Sequence, residues 1–492
     1  MDKKRRIIFR ADGNSRIGLG HVVRSLALAD MLRHDFECVF AIQSPDRALQ
    51  EQIRHVCDGI IALPPSSPSE DRFGYELAAY ISEEEIVVLD GYNFGTAYQQ
   101  NIKSRGATLV CIDDIHSYTF VADAVINQAG GMAPEMYTSA PYTKLCLGPA
   151  YALLRKPFLE AARTERTFPV GKLRVLLNMG GADPDNHTLR ITQELTQLEA
   201  IQHIEIIVGS AYPHKMALKN WLEQNTNATL HQNLSAREMR DLMRRCALAV
   251  TSASGVAYEY CAVGGALYVL QTADNQESMY GFLTGNNLAT EYKLLLQQLE
   301  QGLRKEQFQQ QVTTQREHFD GQSDERLKQL FHNLSLSANL TLRDAAPDDL
   351  ELLFSWANDR EVRSRSFKSE PIPLENHTRW FHARLDNPDT KLYIAEIEGE
   401  PAAHIRFEIS GKVATISYLI GENYRGKGLG HSMLLKGVER LKKQRPDVQQ
   451  VEGLVQQDNT ASVRAFEKAG FAYDEPSKDY PTAYRFTLSL KK

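Results

Sequence analysis

Two stretches of this 492-residue chain carry residue types and spacings suited to chemistry on anionic ligands. The first is Arg10-Ala11-Asp12-Gly13-Asn14-Ser15-Arg16-Ile17-Gly18-Leu19-Gly20-His21. An apolar run, Ile7-Ile8-Phe9, ends in a glycine-punctuated loop, and His21 opens a helical pattern with Val22, Leu26 and Ala29 on one face. The positive end of a helix favours neutral imidazole over imidazolium, the form a general base needs. Asp12 is within reach of the same loop and is placed to orient His21 or a substrate. The second stretch, Tyr424-Arg425-Gly426-Lys427-Gly428-Leu429-Gly430, lies between a predicted strand and a predicted helix. Glycines let the backbone close on an anion, and the helix start adds free N–H groups, so a pyrophosphate can be held there without a metal.

A third constellation lies between them. Asn178-Met179-Gly180-Gly181 follows an apolar run, and Ser252-Ala253-Ser254-Gly255 precedes a helix that carries Glu259. Two glycine-lined loops make a phosphate site, and a carboxylate can accept both hydrogen bonds of a ribose diol. Asp183-Pro184-Asp185 has the spacing of a metal-binding pair, but it precedes a helix starting at Asn186 and reads as a turn and cap.

These residues need a scaffold, and the chain supplies an alternating one. Apolar runs at IIFRADG, CVFAIQS, EIVVLDGY (85–92), TLVCIDD (108–114) and DAVINQ (123–128) alternate with helical patterns. That alternation predicts a parallel α/β sheet whose carboxyl edge holds the ligand. After a polar stretch, 158–172, read as a connection, a second series follows with KLRVLLNMGG, HIEIIVGS, LAVTSASG and ALYVLQT. Residues 295–334 are Gln-, Glu- and Lys-rich with helical spacing. Beyond 335–339 the pattern becomes antiparallel: LYIAEIEGEPAAHIRFEI reads as a hairpin and GKVATISYLIG as its neighbour. The expected domains are 1–157, 158–335 and 338–492.

Composition narrows the classes. With 42% hydrophobic and 24% charged residues the chain is an ordinary globular one, which excludes wholly disordered and collagenous proteins. A formal charge of −6, without long blocks of one sign, argues against nucleic acid as a partner. No apolar run approaches the length of a membrane span, so no membrane association is expected. Six widely spaced cysteines fit a reducing cytoplasm.

Downstream of the second motif, Asp458-Asn459 begins a predicted helix that ends in Ala465-Phe466-Glu467-Lys468-Ala469-Gly470-Phe471. With Arg425 to Gly430, this resembles the GNAT acetyltransferases over about residues 340–490. The resemblance implies an α+β domain that uses acetyl-CoA as cosubstrate. Arg425, Gly426, Lys427, Gly428, Leu429 and Gly430 would take the pyrophosphate, and Asn459 would hold the pantetheine arm. His404, Glu408 and Glu422 are candidate bases for the attacking amine. Many GNAT enzymes carry Tyr at the position of Phe466 to protonate the thiolate, so the general acid here is unassigned. WANDREVRSRSF (356–367) and SEPIPLENHTRWF (369–381) resemble acceptor-side helices of enzymes acting on nucleotide-linked amino sugars, with Arg360, Arg363 and Arg365 as a candidate phosphate cluster.

RADGNSRIGLGHVVRSLALA, VLDGY, GPAYALLRKPF, NMGGADPDN and TADNQ, in order along residues 7–276, resemble the UDP-2,4-diacetamido-2,4,6-trideoxy-β-L-altropyranose hydrolases of pseudaminic acid biosynthesis. The resemblance implies an α/β fold with a GT-B-like pair of Rossmann domains followed by the α+β GNAT domain. It implies His21 as base, with Gly20, Arg155, Asn178, Gly180, Gly255 and Glu259 holding UDP and Asp274, Asn275 and Gln276 facing sugar or phosphate. No metal is expected. The joined reading is acetylation of the C4 amine of a UDP-linked amino sugar, then inverting hydrolysis that releases UDP. Neighbouring enzymes of the same route are the partners it implies. Another UDP-diamino sugar, a protein amine as acetyl acceptor and a non-catalytic UDP-sugar sensor stay open.

Overall fold

The computed structural model describes residues 4–13, 19–64, 75–168, 173–209, 211–474 and 480–491. The chain divides into two compact units, residues 1–138 with 145–329 and residues 139–144 with 330–492. All six cysteines are buried. Among the described residues, no helix is long and apolar enough to cross a membrane.

The first unit contains two parallel sheets. Strands β1 (Arg6–Ala11), β2 (Glu37–Gln43), β3 (Gly59–Leu63), β4 (Ile86–Asp90), β5 (Thr108–Ile112), β6 (Ala124–Asn127) and β7 (Lys144–Leu147) are ordered β3-β2-β1-β4-β5-β6-β7. Strands β8 (Leu173–Asn178), β9 (Ile201–Ile207), β10 (Ala228–His231), β11 (Leu248–Ser252), β12 (Ala266–Leu270) and β13 (Thr290–Glu291) repeat that order as β10-β9-β8-β11-β12-β13. Both are Rossmann-like bodies. β4 and β11 are buried at every position, as strands covered on both faces are. In each sheet the strand order reverses beside the first strand, between β1 and β4 and between β8 and β11. In open α/β sheets, ligands bind outside the carboxyl ends of the strands at such a reversal.

One segment departs from expectation. Within the polar stretch 158–172, read as a connection, the helix Lys156–Ala162 buries Phe158, Leu159, Ala161 and Ala162. Its exposed Glu160 masks that apolar face in the sequence, and it packs on the helix Gly255–Val263.

The second unit is built on one sheet, β14-β15-β16-β17-β18-β20-β19, with β14 (Leu340–Asp344), β15 (Thr390–Ile397), β16 (Glu400–Ser410), β17 (Val413–Ile420), β18 (Gln450–Gln456), β19 (Ala472–Asp474) and β20 (Ala483–Ser489). The β15–β16 hairpin turns on Glu398 and Gly399, both at positive φ, as a two-residue turn demands. Its pairs are antiparallel except β17 with β18. Those two strands pair only from Val413 to Ile416 with Gln450 to Gly453 and then diverge. The helices Leu429–Gln444 and Thr460–Lys468 start beside this opening, and the core around Ile405, Phe407, Met433, Leu434, Phe466 and Phe486 anchors them. This is a GNAT-like sheet.

Candidate active sites in the two units

His21 lies in the first turn of the helix Gly20–Leu32, which follows β1. Residues 14–18 of the preceding loop lie outside the described residues. The β1–β4 ladder pairs Ala11 with Asp90, so the last residue of β4 stands at the same sheet edge as the end of β1. There His21 Nδ1 is 2.7 Å from Asp90 Oδ1. Ser25 Oγ donates to Asp90 Oδ2 at 3.0 Å, and Arg24 donates to both carboxylate oxygens and to Asp114. Burial works to raise the Asp90 carboxyl, but Arg24 and His21 outweigh it and hold the group below the usual carboxylate range. An ionised Asp90 is an acceptor only. His21 Nδ1 also lies 3.0 Å from the donor-only Arg24 Nη2, but the Asp90 oxygen is nearer at 2.7 Å; with the Nδ1 proton donated to Asp90, the Nε2 lone pair is the basic atom. The Tyr92 ring meets the imidazole edge-on with centroids 4.8 Å apart, and its hydroxyl points to Asp114.

Asp12, expected to orient His21 or a substrate, is engaged by partners other than His21. Its Oδ1 is 2.7 Å from Arg10 Nη1 and accepts from the Gln43 backbone N–H, so it ties β1 to the end of β2. Asp90 is the carboxylate that holds His21. Arg24, Asp90, Tyr92 and Asp114 were not singled out from the sequence. The signal available was VVLDGY, a buried strand ending in Asp and followed by Gly91 and an exposed Tyr92.

The second parallel sheet brings Asn178, Gly180, Gly255 and Glu259 to the ends of β8 and β11. Asn178 Oδ1 accepts from Gly180 N and its Nδ2 donates to Ile207 O, so its amide shapes the turn instead of facing a ligand. Gly180 has φ +89, and a Cβ there would come within 3.3 Å of Ser252 Oγ, so the two loops abut. The first N–H groups of the helix Gly255–Val263 have no acceptor within the helix, and open space adjoins Gly255. Arg155 and Glu259 were both expected among the residues that hold UDP. They hold one another: Arg155 Nε and Nη2 both donate to Glu259 Oε1, at 2.9 and 2.7 Å. Burial raises the Glu259 carboxyl while Arg155 opposes that rise, and Oε2 is left to accept from a ligand hydroxyl. Gln276 Oε1 accepts from Thr272 N and Oγ1, which fixes the turn Asp274–Gln276; Asp274 is exposed, and the Asn275 side chain lies outside the described residues. Asp183 accepts from His187 N and Thr188 N and so caps the helix His187–Leu195. Among the described residues, no three His, Cys, Asp or Glu side chains gather as a metal group.

In the second unit, Gly426 and Gly428 have φ +73 and +79, and both open onto free space. The loop thus turns its backbone toward the start of the helix Leu429–Gln444. A Cβ at Gly430 would sit 3.0 Å from that of Ala465, so its absence lets the two helices meet. Leu429 is buried and anchors the first turn, while the Lys427 ammonium rests over the Tyr424 ring. Arg425, expected to take pyrophosphate, is engaged by Asp359 at 2.6 Å, Glu361 at 3.1 Å and Ile420 O at 3.0 Å. It therefore ties the loop to the helix Arg360–Ser364. Asn459 Oδ1 caps the helix Thr460–Lys468 through Ser462 N.

The candidate arginine cluster is dispersed. Arg363 folds back on Lys368 O and Ser366 Oγ, and Arg365 reaches Asp458. Of the candidate bases, Glu408 stands between Arg384 and Arg406, and Glu422 is exposed. His404 is buried on β16. Burial, reinforced by Arg406 and His377, pushes its imidazole down to about 3, too weak a base to take a proton from an ammonium.

Residues 339–472 match the family model of the acetyltransferase (GNAT) domain. An uncharacterized protein of Methanocaldococcus jannaschii, MJ1062, is 22% identical over 513 residues, spanning 98% of this chain and all of that one. The UDP-2,4-diacetamido-2,4,6-trideoxy-beta-L-altropyranose hydrolase of Campylobacter jejuni is 26% identical over 296 residues, 58% of this chain and 99% of that protein. The aminoglycoside acetyltransferase AAC(6')-Ib, solved with ribostamycin and coenzyme A, is 24% identical with a TM-score of 0.28 over 31% of this chain and 94% of that one. Residues 339–472 are a GNAT acetyltransferase domain, and the N-terminal part of the chain is homologous to UDP-2,4-diacetamido-2,4,6-trideoxy-β-L-altropyranose hydrolase.

Proposed function

We propose that the chain is a bifunctional sugar-nucleotide enzyme. Its GNAT domain acetylates the C4 amine of UDP-4-amino-4,6-dideoxy-N-acetyl-β-L-altrosamine with acetyl-CoA. Its N-terminal unit then hydrolyses the product to UDP and 2,4-diacetamido-2,4,6-trideoxy-L-altrose. The His21–Asp90 pair at the β1/β4 edge carries the hydrolytic half of this reading.

In that step His21 Nε2 takes a proton from water, and Asp90 stabilises the imidazolium that forms. The water oxygen attacks the anomeric carbon opposite UDP, the C–O bond breaks and its electron pair leaves with the β-phosphate oxygen. The configuration inverts. Charge on the departing diphosphate meets the N–H groups at Gly255, while Glu259, steadied by Arg155, accepts from the ribose. Acetylation comes first because the C4 amide it makes is part of the hydrolase substrate. Joining the two steps in one chain raises the local concentration of the intermediate.

A proton NMR time course with the UDP-amino sugar and acetyl-CoA tests both steps. Thiol release, then UDP and an inverted free sugar, is the expected sequence. In ¹⁸O-labelled water the label enters the sugar and not UDP. Release of coenzyme A independent of the sugar, or label in UDP, overturns the reading.

A further inference from the structure

An amine that attacks a thioester expels a thiolate, and the reaction gains from a hydroxyl placed to hydrogen-bond and protonate that sulfur. Phe466 supplies no such group. Its ring is buried against Phe471 and Phe486, and it also covers Gly453, where a Cβ would come within 2.4 Å of it. Gly453 is the last β18 residue paired with β17, so Phe466 closes the base of the opening between those strands.

Beyond that base, Ser417–Ile420 pair only with β16 and Leu454–Gln456 only with β20. The facing backbone edges suit an arm with two amide groups, which can lie between them as a short extra strand. Tyr418 is the second residue past the divergence and is partly exposed. Its hydroxyl is 3.0 Å from Ser462 Oγ and 3.4 Å from the point a Cβ on Gly430 would occupy. It thus stands between the starts of the two helices that carry the cofactor motifs. Asn459, by capping the second helix through Ser462 N, fixes Ser462 under it. The Tyr418 ring lies 6.1 Å from that of Phe466. The Tyr418 hydroxyl donates to Ser462 Oγ, and burial, outweighing the opposing effect of that hydrogen bond, raises the phenol, so it is protonated at neutral pH.

We propose that Tyr418 is the catalytic proton donor to the coenzyme A sulfur, with Ser462 returning the proton. The amine nitrogen forms the C–N bond, the C–S bond breaks and its electron pair stays on sulfur. The Tyr418 O–H proton passes to that sulfur. The proton lost by the nitrogen reaches the phenolate through water and the Ser462 hydroxyl, which leaves an amide, a free thiol and the original phenol. The assignment rests on acetyl-CoA as donor and not on which amine accepts.

The test is Tyr418→Phe in the full-length chain. Its kcat for acetyl transfer to the UDP-amino sugar is expected to fall about 10²-fold at unchanged KM for acetyl-CoA. A second readout needs no acceptor: the ultraviolet thiolate absorbance of coenzyme A bound to the protein, titrated with pH. Loss of the hydroxyl is expected to move its midpoint up by roughly one pH unit. Ser462→Ala, which keeps the ring in place, is expected to lower kcat about 10-fold. An unmoved thiolate titration in Tyr418→Phe overturns the assignment whatever the acceptor proves to be. Failure of the sugar to accept acetyl alongside a moved titration leaves Tyr418 as donor and overturns only the acceptor.

Discussion

Asp90, wholly withdrawn from solvent, accepts from His21 Nδ1 at 2.7 Å and from Arg24 at 2.6 Å through one oxygen. A buried carboxylate held this firmly fixes the imidazole tautomer and balances the charge that appears on His21 when it takes a proton. The pairing joins residues 69 positions apart, and the β1–β4 register, which sets Ala11 beside Asp90, makes it.

Asp90→Asn is therefore expected to lower hydrolysis about 10²- to 10⁴-fold, because an amide favours the wrong tautomer and leaves the imidazolium without its counter-charge. His21→Ala removes the base itself. Release of UDP from the diacetamido substrate measures both, and calorimetric UDP affinity is expected to stay near wild type in each. A variant that loses UDP binding in step with turnover would place His21 in the binding machinery instead.

Glu259 offers one free oxygen because Arg155 occupies the other. Glu259→Gln is expected to weaken UDP by about 1–3 kcal/mol, the cost of a hydrogen bond to a charged acceptor. Discrimination between ribose and 2′-deoxyribose should fall with it. Equal losses of affinity for UDP and 2′-deoxy-UDP would show that Glu259 does not touch the diol.

Gly428 sits at φ +79 in the loop before the helix Leu429–Gln444. Gly428→Val forces a branched side chain into a left-handed conformation, at about 1–2 kcal/mol of strain, and fills the open space beside the loop. Acetyl-CoA binding is expected to be lost while UDP release from an already acetylated substrate continues. Parallel loss of both activities would tie the hydrolytic site to this loop.

How far these features were legible depends on range. Strands with long apolar runs, β1 through Ile7-Ile8-Phe9 and β4 through Ile86 to Leu89, declare themselves. Short β3, β7, β10 and β19, of three to five residues each, do not stand out from turns. The helix Lys156–Ala162 hid behind Glu160 and the polar residues that follow it. Glycine-punctuated loops mark the sites because positive φ and close backbone approach are local requirements. Side-chain partners are not local. Asp12 was chosen for His21 because it is near in the chain, whereas Asp90 is near across the ladder. Arg155 and Glu259 were each read as facing a ligand, and their mutual pairing across 104 positions had no sequence signal.

His404 gives the sharpest dependence on pH. Its ring is 6% exposed on β16, and among the described residues Nε2 has no hydrogen-bond partner. Burial, with Arg406 and His377 adding to it and Asp349 opposing, pushes the folded pKa to about 3, against about 6.5 in the unfolded chain. Between those values the unfolded chain binds a proton that the folded domain refuses, so stability rises with pH. The contribution is fully present above about pH 6.5 and is lost as pH falls toward 3. Between pH 7 and pH 5 it amounts to roughly 2 kcal/mol, from about 1.4 kcal/mol per pH unit. Amide hydrogen exchange along β15, β16 and β17 in the full-length protein measures it. Protection of these strands is expected to weaken from pH 7 to pH 5, after correction for intrinsic exchange, by more in wild type than in His404→Leu. The variant keeps an apolar group of similar size and has nothing to titrate. Identical pH dependence in the two proteins would mean that His404 is hydrated or paired in solution and is not the neutral, desolvated imidazole that its surroundings on β16 dictate.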